Sequence, residues 1–329
     1  SISRSESWRA AYLDRTERMV LRDRNFPSVL FWSLGNESGT GSNLQATYNR
    51  CKELDPNRIV HYEGATRGGA SYTDLWSVMY PNLSRVKSDA NRNSKGQPYF
   101  MCEYAHAMGN AVGNLKEYWD EIENSTYGMG GCVWDLVDQS IYDAADIQAG
   151  TLTQKGLPKY MSGYDYPGPH QGNFVNNGLV PAHRAWTAKL AQVKQIYQFV
   201  SFESLNTSSQ RVNVRNKYSF TSLDNFELRY SVLADGQEVE SGSMDMPAVR
   251  PGALTSFKVP YTTVPETGKE YLLNLSLCLK QPTPWAEAGY PIARQQLTIQ
   301  QADRQLPEVK WAADVQPLTA VENQYGNYL

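Results

Sequence analysis

From Ser28 to Ser33 the chain runs Val-Leu-Phe-Trp without a polar break, then turns polar through Gly35-Asn36-Glu37-Ser38-Gly39. A short continuous apolar run of this kind predicts a strand buried on both faces, as in a parallel sheet. The same signal recurs at Ile59-Val-His-Tyr-Glu63, Leu75-Trp-Ser-Val-Met-Tyr80, Pro98-Tyr-Phe-Met-Cys-Glu103 and Gly131-Cys-Val-Trp-Asp135, giving five predicted strands. Between them lie stretches of helical character. Trp8, Tyr12, Met19 and Leu21 recur at helical spacing from about Glu6 to Arg24, before Asn25 and Pro27 stop the helix. Residues 43–54 and 114–122 read as further helices, the first closed by Asp55-Pro56. Strands alternating with helices predict βαβ units.

After Asp138 this pattern breaks. Residues 141–178 are rich in Gly, Pro, Tyr and Asp and read as a long loop of the functional kind, and a helix is expected from His183 to about Tyr197. Beyond about residue 200 the period changes to two. Arg211-Val-Asn-Val, Phe226-Glu-Leu-Arg-Tyr-Ser-Val, Glu238-Val-Glu, Ser256-Phe-Lys-Val and Tyr271-Leu-Leu-Asn-Leu-Ser-Leu alternate apolar with polar, and Asp235-Gly236 between two of them is a hairpin signal. Some six short strands over 200–302 predict an immunoglobulin-like β-sandwich, though no Cys…Trp…Cys spacing of the antibody type is present. Residues 1–199 form the α/β part, and 303–329 read as a linker or the start of a further domain.

Composition narrows the function classes. The 329 residues are 41% hydrophobic and 20% charged, with a net charge of −3, so an electrostatic grip on nucleic acid or anionic lipid is not expected. No apolar run of about 18 residues marks a membrane span. Cys51, Cys102, Cys132 and Cys278 never form a C-x-x-C pair, which disfavours thiolate zinc and a disulfide framework. The four histidines show no H-E-x-x-H spacing. Eight Trp and 21 Tyr are compatible with a sugar cleft or a large core. The first residues, Ser1-Ile2-Ser3-Arg4, read like a piece that starts within something longer.

The candidate chemistry lies in Glu37 and Glu103, each directly after an apolar strand. In α/β barrels such strand ends carry the catalytic groups, and glycosidic cleavage needs a pair of carboxyl groups. By position alone each acid could equally be a solvated loop residue or a helix cap. Asn36 could likewise be a turn residue. Glycines 35, 39 and 41 are not followed by Gly-Lys-Ser/Thr, which argues against a phosphate loop.

The surrounding residues settle the choice by likeness. Trp32-Ser-Leu-Gly-Asn-Glu-Ser-Gly39 and Cys102-Glu-Tyr-Ala-His-Ala-Met-Gly-Asn110 closely resemble the acid/base and nucleophile signatures of family 2 β-galactosidases. The resemblance extends in order through Met79-Tyr80, Gly130-Gly-Cys-Val-Trp-Asp-Leu-Val-Asp-Gln-Ser140, Asn177-Gly-Leu-Val180 and Trp285-Ala-Glu-Ala-Gly289. It implies an α/β plus all-β fold, a partial (β/α)8 TIM barrel (strands four to eight) over 1–199 followed by the sandwich. The first three strands would then precede Ser1.

The resemblance also implies roles. Glu103 would be the nucleophile and Glu37 the acid/base of a retaining double displacement on a terminal β-D-galactosyl residue, as in lactose. Asn36 would bind the sugar 2-hydroxyl, Tyr80 would approach the nucleophile, His106 would contact the 6-hydroxyl and Trp134 would stack on the sugar face. Glu37 would ligate Mg²⁺, and Asn177 with the Phe174 carbonyl would ligate Na⁺, although His170-Gln-Gly-Asn173 is less acidic than the family stretch. Other ligands of both ions would lie outside this chain. A β-glucuronidase or β-mannosidase of the same family, and a non-catalytic structural or binding fragment, are the alternatives; Ala105-His106-Ala-Met-Gly-Asn110 favours galactoside. The parent is expected to be a homo-oligomer, cytoplasmic in preference to periplasmic, with nucleic acid and membrane excluded as partners. The isolated piece is expected to be inactive.

Overall fold

A computed structural model of the chain describes residues 1–92, 96–150, 160–303, 321–323 and 326–328. It divides into two compact units, Ser1–Tyr197 and Gln198–Leu329.

The first unit alternates helix and strand. A 3-10 turn at Glu6–Trp8 leads into α1 (Arg9–Asp23), so regular helix starts three residues later than the periodicity predicts. Then follow β1 (Phe31–Ser33), α2 (Ser42–Leu54), β2 (Ile59–His61), α3 (Glu63–Arg67), β3 (Trp76–Met79) and α4 (Leu83–Arg92). Next come β4 (Tyr99–Tyr104), α5 (Leu115–Glu123), β5 (Gly128–Val133), the short α6 (Ala144–Gln148) and α7 (Ala188–Ile196). All strand pairings are parallel, β1 with β2 and β3-β4-β5 in order.

Three readings are corrected here. Glu63 opens α3 instead of closing a strand: β2 ends at His61, and Tyr62, still extended, is the N-cap residue of the helix. The region 141–178 is not loop throughout: α6 and a 3-10 turn at Gly163–Asp165 occupy part of it, while 151–159 lie outside the described residues. The helix expected from His183 begins at Ala188, where the Thr187 hydroxyl accepts from the Leu190 N–H and caps it.

Strand alternation separates two faces. Trp32 and Val60 pack with Val20 of α1 and Cys51 of α2. Val78, Tyr99, Met101 and Tyr104 pack with Val86 and Ala90 of α4 and Leu115 and Ile122 of α5. Each such large apolar side chain contributes about 1.5–3 kcal/mol on burial. The opposite face carries Phe31, Ser33, His61, Ser77, Phe100 and Cys102, with the Phe31, His61 and Phe100 rings edge-on to one another.

On β4 the alternation fails at one point. Met79 pairs with Glu103 although Val78 pairs with Met101, so one extra residue is inserted. Met101 and Tyr104 both stay in the helix layer, three positions apart, and the bulge offers both Cys102 and Glu103 to the other face. Strict alternation would have sent Glu103 into the core beside Met101.

The second unit is an antiparallel sandwich. The strands are β6 (Val200–Asn206), β7 (Arg211–Asn216), β8 (Phe226–Ala234), β9 (Gln237–Asp245), β10 (Leu254–Lys258), β11 (Tyr271–Leu279) and β12 (Pro291–Gln300). One sheet has the order β10-β7-β6 and the other β12-β11-β8-β9. Both sheets give side chains to one core, including Val212, Val214, Leu228, Val232, Leu273, Leu275 and Leu277. Asp235 and Gly236 take positive φ values of 47° and 81° and turn β8 into β9, as the Asp-Gly signal predicts. Past residue 303, where a linker or a further domain is expected, the described residues form β13 (Val321–Asn323) antiparallel to β14 (Gly326–Tyr328); the rest lie outside the described residues.

Candidate active site

Glu103 lies at the carboxyl end of β4, and Glu37 lies in the loop that leaves the carboxyl end of β1. The loops leaving β1, β3 and β4 are strained alike: Glu37, Tyr80 and Ala105 are non-glycine residues with φ of 48°, 44° and 48°. Left-handed backbone at such residues costs about 1–3 kcal/mol each and clusters at functional sites. The Glu37 loop is pinned by the Tyr62 hydroxyl donating to the Gly39 carbonyl (2.6 Å) and by Gly41 N–H donating to the Tyr72 hydroxyl (3.2 Å). Gly41 is required there, since a Cβ would lie 2.4 Å from the Ser3 carbonyl oxygen.

The two carboxylates share an electrostatic neighbourhood. Burial pushes the Tyr80 hydroxyl well above its usual range, helped by its hydrogen bond to Glu103 and by the charges of Glu103, Cys102 and Glu37. Burial likewise raises the Glu63 carboxyl; Arg67 opposes this, and Glu37 and Glu103 both add to it. Glu63 is 7% exposed, and its Oε2, 3.4 Å from the Arg67 guanidinium, makes no hydrogen bond. Glu63 is thus a third acid beside the pair, which sequence reading gives no role.

Three of the other residues singled out by sequence form a ring cluster. The His106 imidazole lies 5.9 Å from the Tyr80 ring and 5.5 Å from the Phe174 ring. Tyr80 and Phe174 are about half exposed, and Asn36 is exposed beside Glu37. Trp134 follows β5; its carbonyl accepts from Ala107 N–H (2.7 Å), tying it to the loop after Glu103. Asp135 N–H donates to the Asn177 carbonyl (2.8 Å), which brings the loop holding Asn177 alongside Trp134. Gly178 fits there because a Cβ would lie 2.3 Å from the Asp138 nitrogen.

Lys189 on α7 was not visible as a site residue from sequence. Its ammonium donates to the carbonyls of Ala107 (2.7 Å) and Gly178, clamping the loop of His106 to the loop of Asn177. A lysine among Thr, Ala and Leu carries no local signal of such a bridge.

Cation donors were tested on the same geometry. Asn177 is 3% exposed and its Oδ1 is buried without a partner, as is Asn176 Oδ1. A buried orphan amide oxygen is the kind of donor that suits a hard cation such as Na⁺. For Mg²⁺ the chain offers Glu37 alone of the expected ligands: among the described residues no group of three or more His, Cys, Asp or Glu could hold a metal.

Comparison with known proteins agrees with this architecture. Residues 1–202 match the family described as glycosyl hydrolases family 2, TIM barrel domain, and residues 212–300 match β-galactosidase, domain 4. A β-galactosidase of Priestia megaterium is 36% identical over 309 residues, covering 93% of this chain and 29% of that protein. One from Photobacterium profundum is 34% identical, covering 91% and 29%. The chain therefore spans less than a third of these relatives. An FMN-binding β-glucuronidase structure from Facaelibacterium prausnitzii covers 92% of the chain and 46% of its own length, at 14% identity and a TM-score of 0.40.

Proposed function

Since the chain belongs to glycoside hydrolase family 2, we propose that it supplies both catalytic carboxyl groups of a retaining β-galactosidase. The observation that carries this reading is the shared setting of Glu37 and Glu103, each from a strand end and each felt by both Tyr80 and Glu63.

Glu103 attacks the anomeric carbon while Glu37 protonates the departing oxygen. Glu37 then deprotonates the water that releases galactose from Glu103. Double displacement needs the two carboxyl groups about 5–5.5 Å apart. The Tyr80 hydroxyl, held protonated, donates to Glu103 and steadies it for attack. Asn36 binds the 2-hydroxyl, a contact that tightens as the ring approaches an oxocarbenium ion. His106 contacts the 6-hydroxyl and Trp134 covers the apolar sugar face. Asn177 and the Phe174 carbonyl would hold Na⁺, which when bound supplies positive charge beside the 6-hydroxyl. No step is assigned to Mg²⁺.

The test uses a protein with the full length of its relatives carrying this chain. Nitrophenyl β-galactoside should be cleaved in preference to the glucuronide and mannoside, and a 2-fluoro-galactoside should label Glu103 on peptide mapping. Label on any other residue overturns the assignment.

A further inference from the structure

The backbone ladder that should tie the strands together has a gap. β1 pairs with β2, and β3, β4 and β5 pair in sequence, but no ladder joins β2 to β3. Glu37 follows one side of this seam and Glu103 the other. Near its start the seam has one backbone hydrogen bond, Asp74 N–H to the Val60 carbonyl (2.8 Å), with the Asp74 carboxylate accepting from Val60 N–H (2.7 Å). Farther up, towards the strand ends that carry the carboxylates, a side chain spans it.

That side chain is His61, on the face opposite the helices. One ring nitrogen, Nδ1, is 3.0 Å from the Ser33 hydroxyl of β1; the other, Nε2, is 2.7 Å from the Ser77 hydroxyl of β3. A single polar row thus runs Ser33–His61–Ser77 across three strands, β1, β2 and β3. The Cys102 thiol of β4, the residue before Glu103, donates to the carbonyl of Val78, next to Ser77 on β3 (3.5 Å). His61 and Ser77 are 5% and 0% exposed, and the ring is boxed edge-on by Phe31 and Phe100. Burial holds the imidazole neutral, with its pKa lowered to about 4. A neutral imidazole offers one N–H donor and one acceptor nitrogen, and serine hydroxyls can meet either. Removing the ring therefore leaves a buried hydroxyl unpaired at the gap.

We propose that His61 is a positioning residue that fixes the spacing of Glu37 and Glu103 by bridging the β1–β2 sheet to the β3–β4–β5 sheet. This rests on the proposed function, because it assigns the two carboxylates their roles. The chemistry tolerates little slack: protonation of the leaving group requires the acid within hydrogen-bond reach of the glycosidic oxygen while the nucleophile faces the anomeric carbon. A seam that opens moves the acid relative to the nucleophile and leaves each intact.

The readout is leaving-group dependence, measured in a protein of the relatives' full length. A dinitrophenyl galactoside departs without protonation, whereas lactose needs the acid. With His61→Ala, kcat/KM on lactose, which reports the galactosylation step, should fall at least tenfold more than kcat/KM on the dinitrophenyl substrate. His61→Gln, whose amide again offers a donor and an acceptor, should restore most of the lactose rate. Ser77→Ala removes one end of the bridge with a smaller loss of volume, and should show the same selective deficit if the His61→Ala protein does not fold. Parallel loss on both substrates, or equal impairment by His61→Gln and His61→Ala, overturns the proposal. If the unaltered protein cleaves neither galactoside, it is the proposed function that fails, and the two results are distinguishable.

Discussion

Replacing Lys189 by Met keeps an unbranched stem and removes only the ammonium. Two carbonyls, of Ala107 and Gly178, lose their donor. Hydrogen bonds to a charged group contribute about 1.5–3 kcal/mol each, and the lower end applies to a half-buried lysine. Each loop then loses about 1.5 kcal/mol of local stability, roughly a tenfold rise in its opening equilibrium. Hydrogen exchange reads this directly. The reporters are Ala107 N–H, bonded to the Trp134 carbonyl, and Leu179 N–H, bonded to the Asp135 carbonyl. Both should exchange about tenfold faster, while Tyr99 N–H, bonded to the Tyr127 carbonyl at the far end of β4, should not change. In the full-length enzyme the KM for galactoside should rise more than kcat falls, because His106 and Asn177 ride on the loosened loops. Unchanged exchange at Ala107 and Leu179, or equal acceleration at Tyr99, would refute the clamp.

Glu37→Gln should lower kcat/KM on lactose by roughly 10²–10⁴-fold while sparing kcat/KM on a dinitrophenyl galactoside, as steady-state kinetics on the two substrates would show. It should lower kcat on both, because water attack on the galactosyl-enzyme still needs the base. His61 makes folding pH-dependent. Its folded pKa of about 4 lies below the ordinary 6.5, so the contribution is complete above pH 6.5 and is lost as pH falls towards 4. The 2.5-unit difference corresponds to about 3 kcal/mol; urea titrations of the first unit across that window should show a shallower slope for His61→Gln, and an identical slope would refute the assignment. In the sandwich, Asn216 is fully buried, donates to the Thr221 and Val249 carbonyls and accepts from Tyr218 N–H. Asn216→Leu should cost about 3 kcal/mol or more in the urea transition of that unit; a loss under about 1 kcal/mol would count against it.

Sequence periodicity reveals what is local. The apolar runs at Val29–Ser33, Ile59–His61 and Tyr99–Glu103 fall on strands, and the Asp235-Gly236 turn falls between β8 and β9. Elements without such contrast escape it. In α4, Val86 and Ala90 are fully buried but stand among Ser, Arg, Lys and Asp, so the apolar stripe is too thin to read. β6 and β12 carry few regular apolar alternations and are not singled out. The family-like spelling around Glu37 and Glu103 marks candidate residues, but the contacts that position them are long-range. His61 meets hydroxyls 28 and 16 positions away, and Lys189 reaches a carbonyl 82 positions back. No window of sequence contains both ends of such a bond.

The bulge on β4 has a reach beyond its own geometry. Glu103 turns away from the helix layer because Tyr104, 1% exposed, claims the next place against α5 and an extra residue enters the strand. The orientation of this carboxylate is therefore maintained from behind, by an aromatic ring that never meets solvent. Lesions in that hidden wall, far from any ligand, would surface as lost turnover in a protein that still folds, and a screen confined to cleft residues would miss them.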